Sequence, residues 1–302
     1  IIAFFTVHTV KADADLENKL QEMQEEIDSL AEMIEEGSGG GDGWYNKTSL
    51  GGYGEIHWQT AAPPLDERAA TNTTTVEVDI HRYVLFIGHE FNEYLNMNSE
   101  VEIEHAFVKD AHGELEMEQL YLEQNLGYLG IENTFIKYGT VLMPVGITNE
   151  THEPPTFYGV DRNVVEKELN ANTWWETGIM LNTALGEGFD FTAFGHTGLE
   201  TDGDGDIRDG RGKVFKQDGT NVAYTLRLRY TGIPGVEFGF WHNHQTDINN
   251  IPGAGNIPAD LYGAHINMSP TEGIGFKAFG GTWNLDCPSN HVCDTNGREK
   301  VW

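Results

Sequence analysis

The sequence predicts an all-β protein: an antiparallel transmembrane β-barrel preceded by a short N-terminal α-helical coiled coil. Three observations carry that expectation. From Thr48 onward, short segments alternate apolar and polar side chains. The connectors between them are by turns long and tight. In segments such as 94–108 and 221–231, the charged residues gather on one face. A barrel in an outer membrane produces this combination, because strands of about ten residues reverse through short turns on one side and longer loops on the other. A soluble β-sandwich gives no reason for alternate connectors to differ.

The elements follow in chain order. Residues 1–12 open with the mostly apolar IIAFFTVHTV and no initiator Met. They read as the remnant of a secretory signal peptide, with small residues for cleavage at Ala12 or Ala14; a buried first strand is the alternative. In residues 13–36, Leu16, Leu20, Met23, Ile27, Leu30 and Ile34 recur at steps of four and three, the seam of a coiled coil. A helix this short needs a partner in water, either further copies of itself or its own domain. Residues 37–47 begin GSGGGDG, a flexible tether. Residues 48–302 are then the barrel, incomplete at the C-terminus.

Within the barrel region eleven segments are expected, at 48–60, 74–88, 94–108, 114–126, 133–142, 175–185, 189–199, 221–231, 235–247, 260–268 and 273–285. The connectors after the second, fourth, sixth, eighth and tenth are tight, and most carry the Gly, Asn or Pro that turns require. Those after the first, fifth, seventh and ninth are long, whereas the third, 109–113, breaks the pattern by being short. In 221–231, Val222, Tyr224, Leu226, Leu228 and Tyr230 share one face, and Thr225, Arg227 and Arg229 the other. An arginine facing lipid near the bilayer midplane costs about 2–4 kcal/mol, so the arginine face should border a watery lumen. Likewise Val101 and Ile103 alternate with Glu100, Glu102 and Glu104, and Tyr262, Ala264, Ile266 and Met268 with Gly263, His265 and Asn267. The fourth segment is less regular: Glu114, Glu116 and Glu118 fall on one face, but Gln119 falls among the apolar residues opposite.

The formal net charge is −30. Residues 13–36 hold ten acidic residues against the single basic Lys19, so most of the excess belongs to the barrel region. That balance argues against nucleic-acid binding, which needs a basic face. It fits an acidic surface or lumen that attracts cations, and equally a set of well-solvated outer loops. No apolar run reaches the roughly eighteen residues of a transmembrane helix. Cys287 and Cys293 are too few for a disulfide framework; in an oxidising compartment they form a local disulfide or stay two separate thiols.

Candidate functional residues concentrate in the long connector 143–173: Glu150, His152, Glu153, Asp161, Arg162, Glu166, Lys167 and Glu168, with Phe157, Tyr158 and the adjoining Trp174 and Trp175. Connectors of this length are usually functional or disordered. Charged residues of both signs at a constriction set a size limit and a transverse field, and rings of Asp and Glu favour cations. Aromatic residues there either offer a sliding surface to sugars or anchor the loop at the membrane interface. Pro154 and Pro155 stiffen the connector. The run 202–209 (DGDGDIRD) presents Asp202, Asp204 and Asp206 on a tight backbone, as calcium requires, but Ile207 and Lys213 fall where an EF-hand needs Gly and Glu. It reads either as a calcium site or as an acidic outer loop, and no other cofactor is expected. His242 and His244 share a face without an evident third ligand. No Ser-His-Asp arrangement, phosphate loop or Cys-x-x-Cys stands out, so no enzyme is expected, an outer-membrane lipase included.

Five segments carry a family resemblance: 50–57 (LGGYGEIH), 81–92 (HRYVLFIGHEFN), 101–106 (VEIEHA), 144–163 (PVGITNETHEPPTFYGVDRN) and 173–178 (TWWETG). With them the chain, from about Leu50 to Leu285, resembles the Gram-negative outer-membrane porins, particularly the superfamily of the phosphate-selective porins O and P. The resemblance implies a sixteen-stranded barrel assembling as a homotrimer, a connector 143–173 folded into the lumen, and, by analogy with some related porins, a three-stranded periplasmic coiled coil. Two departures stand out. Eleven segments is an odd number, whereas bacterial single-chain barrels close with an even one; residues 298–302 resemble the start of a twelfth, and about 100 further residues would complete sixteen. The basic cluster of the phosphate-selective members is also missing, with 18 basic residues against 48 acidic, so phosphate selectivity is not carried over.

The expectation is therefore a bacterial outer-membrane porin passing small hydrophilic solutes or ions by passive diffusion, cation-favouring, narrowed by 143–173, with lipid and two further copies as partners. The alternative is a secreted or surface carbohydrate-binding all-β protein with Trp174, Trp175 and Trp241 as stacking platforms.

Overall fold

The computed structural model describes residues 43–61, 75–106, 108, 113–159, 162–201, 207–249, 256–271 and 273–286. The expected signal remnant, the coiled-coil core (Leu16, Leu20, Met23, Ile27, Leu30, Ile34), Asp161, the candidate calcium ligands Asp202, Asp204 and Asp206, and the Cys287–Cys293 pair lie outside those residues. The chain divides into two compact units, Ile1–Lys47 and Thr48–Trp302. In the first, the described residues form one 3-10 turn, Trp44–Lys47.

The second unit is one antiparallel sheet of eleven strands whose spatial order is the sequence order. The strands are β1 (Thr48–Ala61), β2 (Thr75–Asn92), β3 (Leu95–Glu104), β4 (Leu115–Asn125), β5 (Thr134–Leu142), β6 (Trp175–Gly186), β7 (Phe189–Thr197), β8 (Val222–Ile233), β9 (Val236–Gln245), β10 (Ala259–Thr271) and β11 (Ile274–Leu285). All eleven expected segments are strands. β1 and β11 are not hydrogen-bonded to each other, so among the described residues the sheet is open at both edges and no barrel is closed. No helix of the described residues is long and apolar enough to cross a membrane.

Alternation sorts the side chains onto two faces. One is apolar and open: Leu50 is 73% exposed, Trp58 80% and Ile179 58%, and Val76, Val78, Tyr224, Leu228, Phe240 and Phe276 are exposed with them. The other is polar, and much of it is covered.

Two β-bulges keep the faces in phase. In β4, Glu100 pairs with Gln119 but Val101 pairs with Met117, leaving Glu118 as the extra residue. A bulge of this kind lets two consecutive residues point the same way. Glu118 and Gln119 therefore both join the polar face, and Leu115, Met117, Leu120 and Leu122 stay together on the apolar one. This resolves the irregular fourth segment. In β2, Glu55 pairs with Arg82 and Ile56 with Ile80, which makes His81 the second extra residue.

The third connector differs from its expected length. β3 stops at Glu104 and β4 starts at Leu115, so this connector joins the long set. The apolar Val108 extends the alternation on paper, but His105 and Ala106 adopt positive φ of 56° and 64° and end the strand. All the long connectors thus leave one end of the sheet, and all the tight turns the other.

The polar face is concave. The ring of Trp174, just before β6, lies 6.4 Å from the ring of His196 on β7 and 6.4 Å from that of Trp283 on β11. In a flat sheet, strands four apart would be separated by roughly 19 Å. The hollow so formed holds the buried apolar cluster, in which Met180, Phe194, Trp241, Leu261 and Trp283 from the strands meet Met143, Val145, Leu169 and Trp174 from the long connector. A glycine makes room for the largest ring: a Cβ on Gly263 of β10 would run into the indole of Trp241.

Candidate functional site

The connector between β5 and β6 lies on the concave polar face. Its base is closed by Asn149, whose Nδ2 donates to the carbonyls of Met143 and Trp174, both at 2.8 Å, while its Oδ1 accepts from the Trp174 amide at 2.9 Å. The connector contains a short helix, α1 (Val164–Leu169), capped by Asn163. Glu166, on α1, is buried and accepts from the amides of Ile147 and Thr148 at 2.6 and 2.5 Å. Of the expected lining residues, Glu166 thus turns its Oε1 into the connector's own backbone.

Contacts at three places on the sheet fix the connector across it. His152, fully buried, places Nε2 2.8 Å from Glu118 of β4 and 3.6 Å from Glu100 of β3. Glu150 forms an ion pair with Arg227 of β8. On β11, the Trp283 indole N–H donates to the Leu169 carbonyl at 2.9 Å, and Lys277 sits 5.0 Å over the Tyr158 ring. Burial alone would lower the pKa of His152, but the Glu100 and Glu118 carboxylates outweigh it and raise it to about 10. The imidazole is therefore held protonated at neutral pH. Arg162 donates to Thr173 Oγ1 at 2.7 Å; burial, and then the neighbouring Arg82, lower its pKa. Glu153 and Lys167 are half-buried.

The charges of the strands are matched to one another. Arg82 of β2 bridges Glu55 of β1 at 2.9 Å and Glu102 of β3 at 3.1 Å. Arg229 of β8 reaches Asp190 of β7 at 3.0 Å and Glu237 of β9 at 3.6 Å. Gln119 donates to Glu100 at 2.7 Å. Glu104 pairs in register with Arg82. Glu100, Glu102, Glu104, Arg227 and Arg229 all occupy the polar face, as the alternation predicts. Sequence reasoning does not single out Glu118; its signal is the broken alternation of its segment, which marks the bulge.

Two expectations about aromatic residues are corrected. Trp174 and Trp241 are fully buried and Trp175 is 3% exposed, so none offers a platform to a sugar. Trp174 does not anchor the connector at a membrane interface either: it is in the core, and its N–H donates to Glu176 at 2.8 Å. His242 and His244 belong to the apolar face, across from Leu226 and Tyr224, and not to the polar one. Asp260 supplies the third group that the sequence does not show, with Oδ1 2.8 Å from His242 Nε2 and 2.9 Å from His244 Nδ1.

No protein-family model matches the chain. An uncharacterized protein of Aquifex aeolicus (strain VF5) is 41% identical over 133 residues, 43% of this chain and 28% of that protein. The matched stretch thus spans under a third of that relative's length. Among solved structures, OmpTdeltaL8, a loop-deletion mutant of an outer membrane protein of Vibrio cholerae, overlaps 80% of this chain and 83% of its own at 11% identity and a TM-score of 0.39. The trimer form of OmpT overlaps 79% and 78% at 9% identity and 0.39. A mutant of Rh. blastica porin overlaps 80% and 86% at 10% identity and 0.34.

Proposed function

We propose that the chain forms part of a bacterial outer-membrane porin, a homotrimer through which small hydrophilic solutes or ions diffuse passively. One observation carries this reading: a connector of mixed charge is pinned across a concave polar face, while the opposite face of the same strands exposes alternate apolar side chains. A sheet whose outer residues meet lipid and whose inner residues meet water requires that division. The connector 143–173 narrows the lumen, with Glu150, Glu153, Asp161, Arg162 and Lys167 as its charges. Cation preference is favoured by the acidic excess of the chain, with Glu104 of β3 half-buried on the polar face. Residues 13–36 form a periplasmic coiled coil, and the kinship is to the superfamily of porins O and P without its phosphate selectivity.

The test is single-channel conductance of the full-length protein in a planar bilayer under a salt gradient. Stepwise openings that close in threes, with a reversal potential of cationic sign, support the proposal. A silent bilayer from protein that stays soluble without detergent overturns it, in favour of the secreted or surface binding protein.

A further inference from the structure

Three histidines meet where β1, β2 and β3 reach the long-connector end of the sheet. His57 and His81 stack in parallel, with ring centroids 4.1 Å apart and planes at 11°. The His105 ring stands edge-on to His81 at 5.8 Å. The β2 bulge turns His81 onto the polar face beside Arg82, and the positive φ of His105 folds that residue back over the strand ends. Two carboxylates complete the group. Asp79 Oδ2 lies 2.9 Å from His105 Nδ1 and 3.5 Å from His81 Nδ1. Glu55 Oε1 lies 2.6 Å from His57 Nε2.

We propose that Asp79, His81 and His105 bind a divalent transition-metal ion of the zinc, nickel or copper class. These three offer one ligand atom each, all within 4.8 Å of one another. A tetrahedral ion with bonds of about 2.0–2.1 Å needs its ligand atoms roughly 3.3 Å apart. The two Asp79–histidine separations already bracket that value, so small side-chain rotations suffice. Imidazole with carboxylate suits zinc, copper and nickel, whereas calcium and magnesium prefer oxygen alone. Glu55, His57 and His81 form an overlapping trio within the same limit, but Arg82 Nε lies 2.9 Å from Glu55 Oε2 and claims much of that carboxylate's charge. Among the described residues, the partners of the Asp79 carboxylate are the two histidines themselves. His57 is therefore a positioning residue, its ring stacked on His81. The His105 side chain is 48% exposed and those of Asp79 and His81 about a quarter, which leaves an entry path and room for water in the remaining coordination positions. The buried trio Glu100, Glu118 and His152 is different, being the closed anchor of the connector. Metal binding at Asp79, His81 and His105 does not depend on whether the chain conducts.

The experiment is calorimetric titration of the metal-stripped full-length protein, without a histidine tag, in detergent with Zn2+, and electron paramagnetic resonance with Cu2+. The expected result is one saturable ion per chain and nitrogen couplings from two imidazoles. Affinity should fall at least tenfold in H105Q and in D79N, conservative changes at partly exposed positions, and stay unchanged in the double variant H242A/H244A on the opposite face. No saturable binding in the unmodified protein, a single nitrogen coupling, or binding that survives D79N and H105Q but is lost in H242A/H244A would overturn the assignment.

Discussion

The two faces of this sheet treat the same chemical problem in opposite ways. Along β8, Arg227 and Arg229 turn inward and each finds a carboxylate, Glu150 and Asp190. Between them and on either side, Tyr224, Leu226, Leu228 and Tyr230 turn outward, and of these Leu226 and Leu228 remain 37% and 42% exposed, with no layer of the described residues packed over them. Charges occur where partners are available, and apolar groups occur where none are. One-residue alternation thus separates two solvents: the inward face is completed by the protein itself, and the outward face is completed only by another apolar phase. Contiguous apolar exposure of this kind marks a membrane or partner surface.

The contrast is tested most severely at its inward anchor. His152→Ala leaves Glu100 and Glu118 buried without their cation, and breaking a buried pair in this way costs about 3–5 kcal/mol. The connector should detach, read as faster proteolysis within 143–173 and a larger conductance. The unmodified protein should show a pH-dependent version of the same release. His152 is raised from 6.5 to about 10, so the docking it stabilises is complete below its unfolded pKa and is lost as pH rises through the folded one. An alkaline opening that is absent from His152→Ala would confirm this lock; the lack of any alkaline opening in the unmodified protein would refute it.

A second test addresses the outward face. Leu226→Arg should reduce folding into lipid vesicles by about 2–4 kcal/mol if Leu226 lies near the midplane. Asn267→Glu, on the polar face beside Lys277, should fold as the parent does. Equal behaviour of the two variants would erase the distinction between the faces. The smallest effect is expected at the rim. Lys213 contacts Glu114, at 2.6 Å, and Glu116, but its side chain is 37% exposed. Solvent-exposed pairs contribute about 0–1 kcal/mol, so Lys213→Ala should leave thermal unfolding close to that of the parent.

Strand number and face assignment are legible in the sequence because alternation is a local signal that each segment repeats. β4 is the exception for a physical reason: its bulge adds one residue, and a period of two has no place for it. The third connector reads as short because Val108 continues the pattern past residues whose backbone has already turned. The site is legible as a region and not as a set of pairs. Glu150 and Arg227 lie 77 residues apart, and nothing in their surroundings announces that a fold unites them. Glu166 resembles a lining charge until its carboxylate is seen holding two backbone amides. Trp174 and Trp241 resemble binding platforms until the concavity that buries them is known. His57, His81 and His105 escape a reading of the sequence although they fall at the same end of three consecutive strands; antiparallel pairing of those strands is the signal.

The bulges have one more consequence. Deleting a residue from an alternating strand turns over every side chain beyond the cut. Deleting Glu118 would not: Leu115 and Met117 keep their face, Gln119 alone fills the inward position, and Leu120 and Leu122 remain outward. Removing His81 from β2 would likewise leave Ile80 and Tyr83 where they are. The reading frame of the sheet slips by one letter at these two places without a change of meaning outside, so changes in chain length can accumulate there while the inner surface is rewritten and the outer one is preserved.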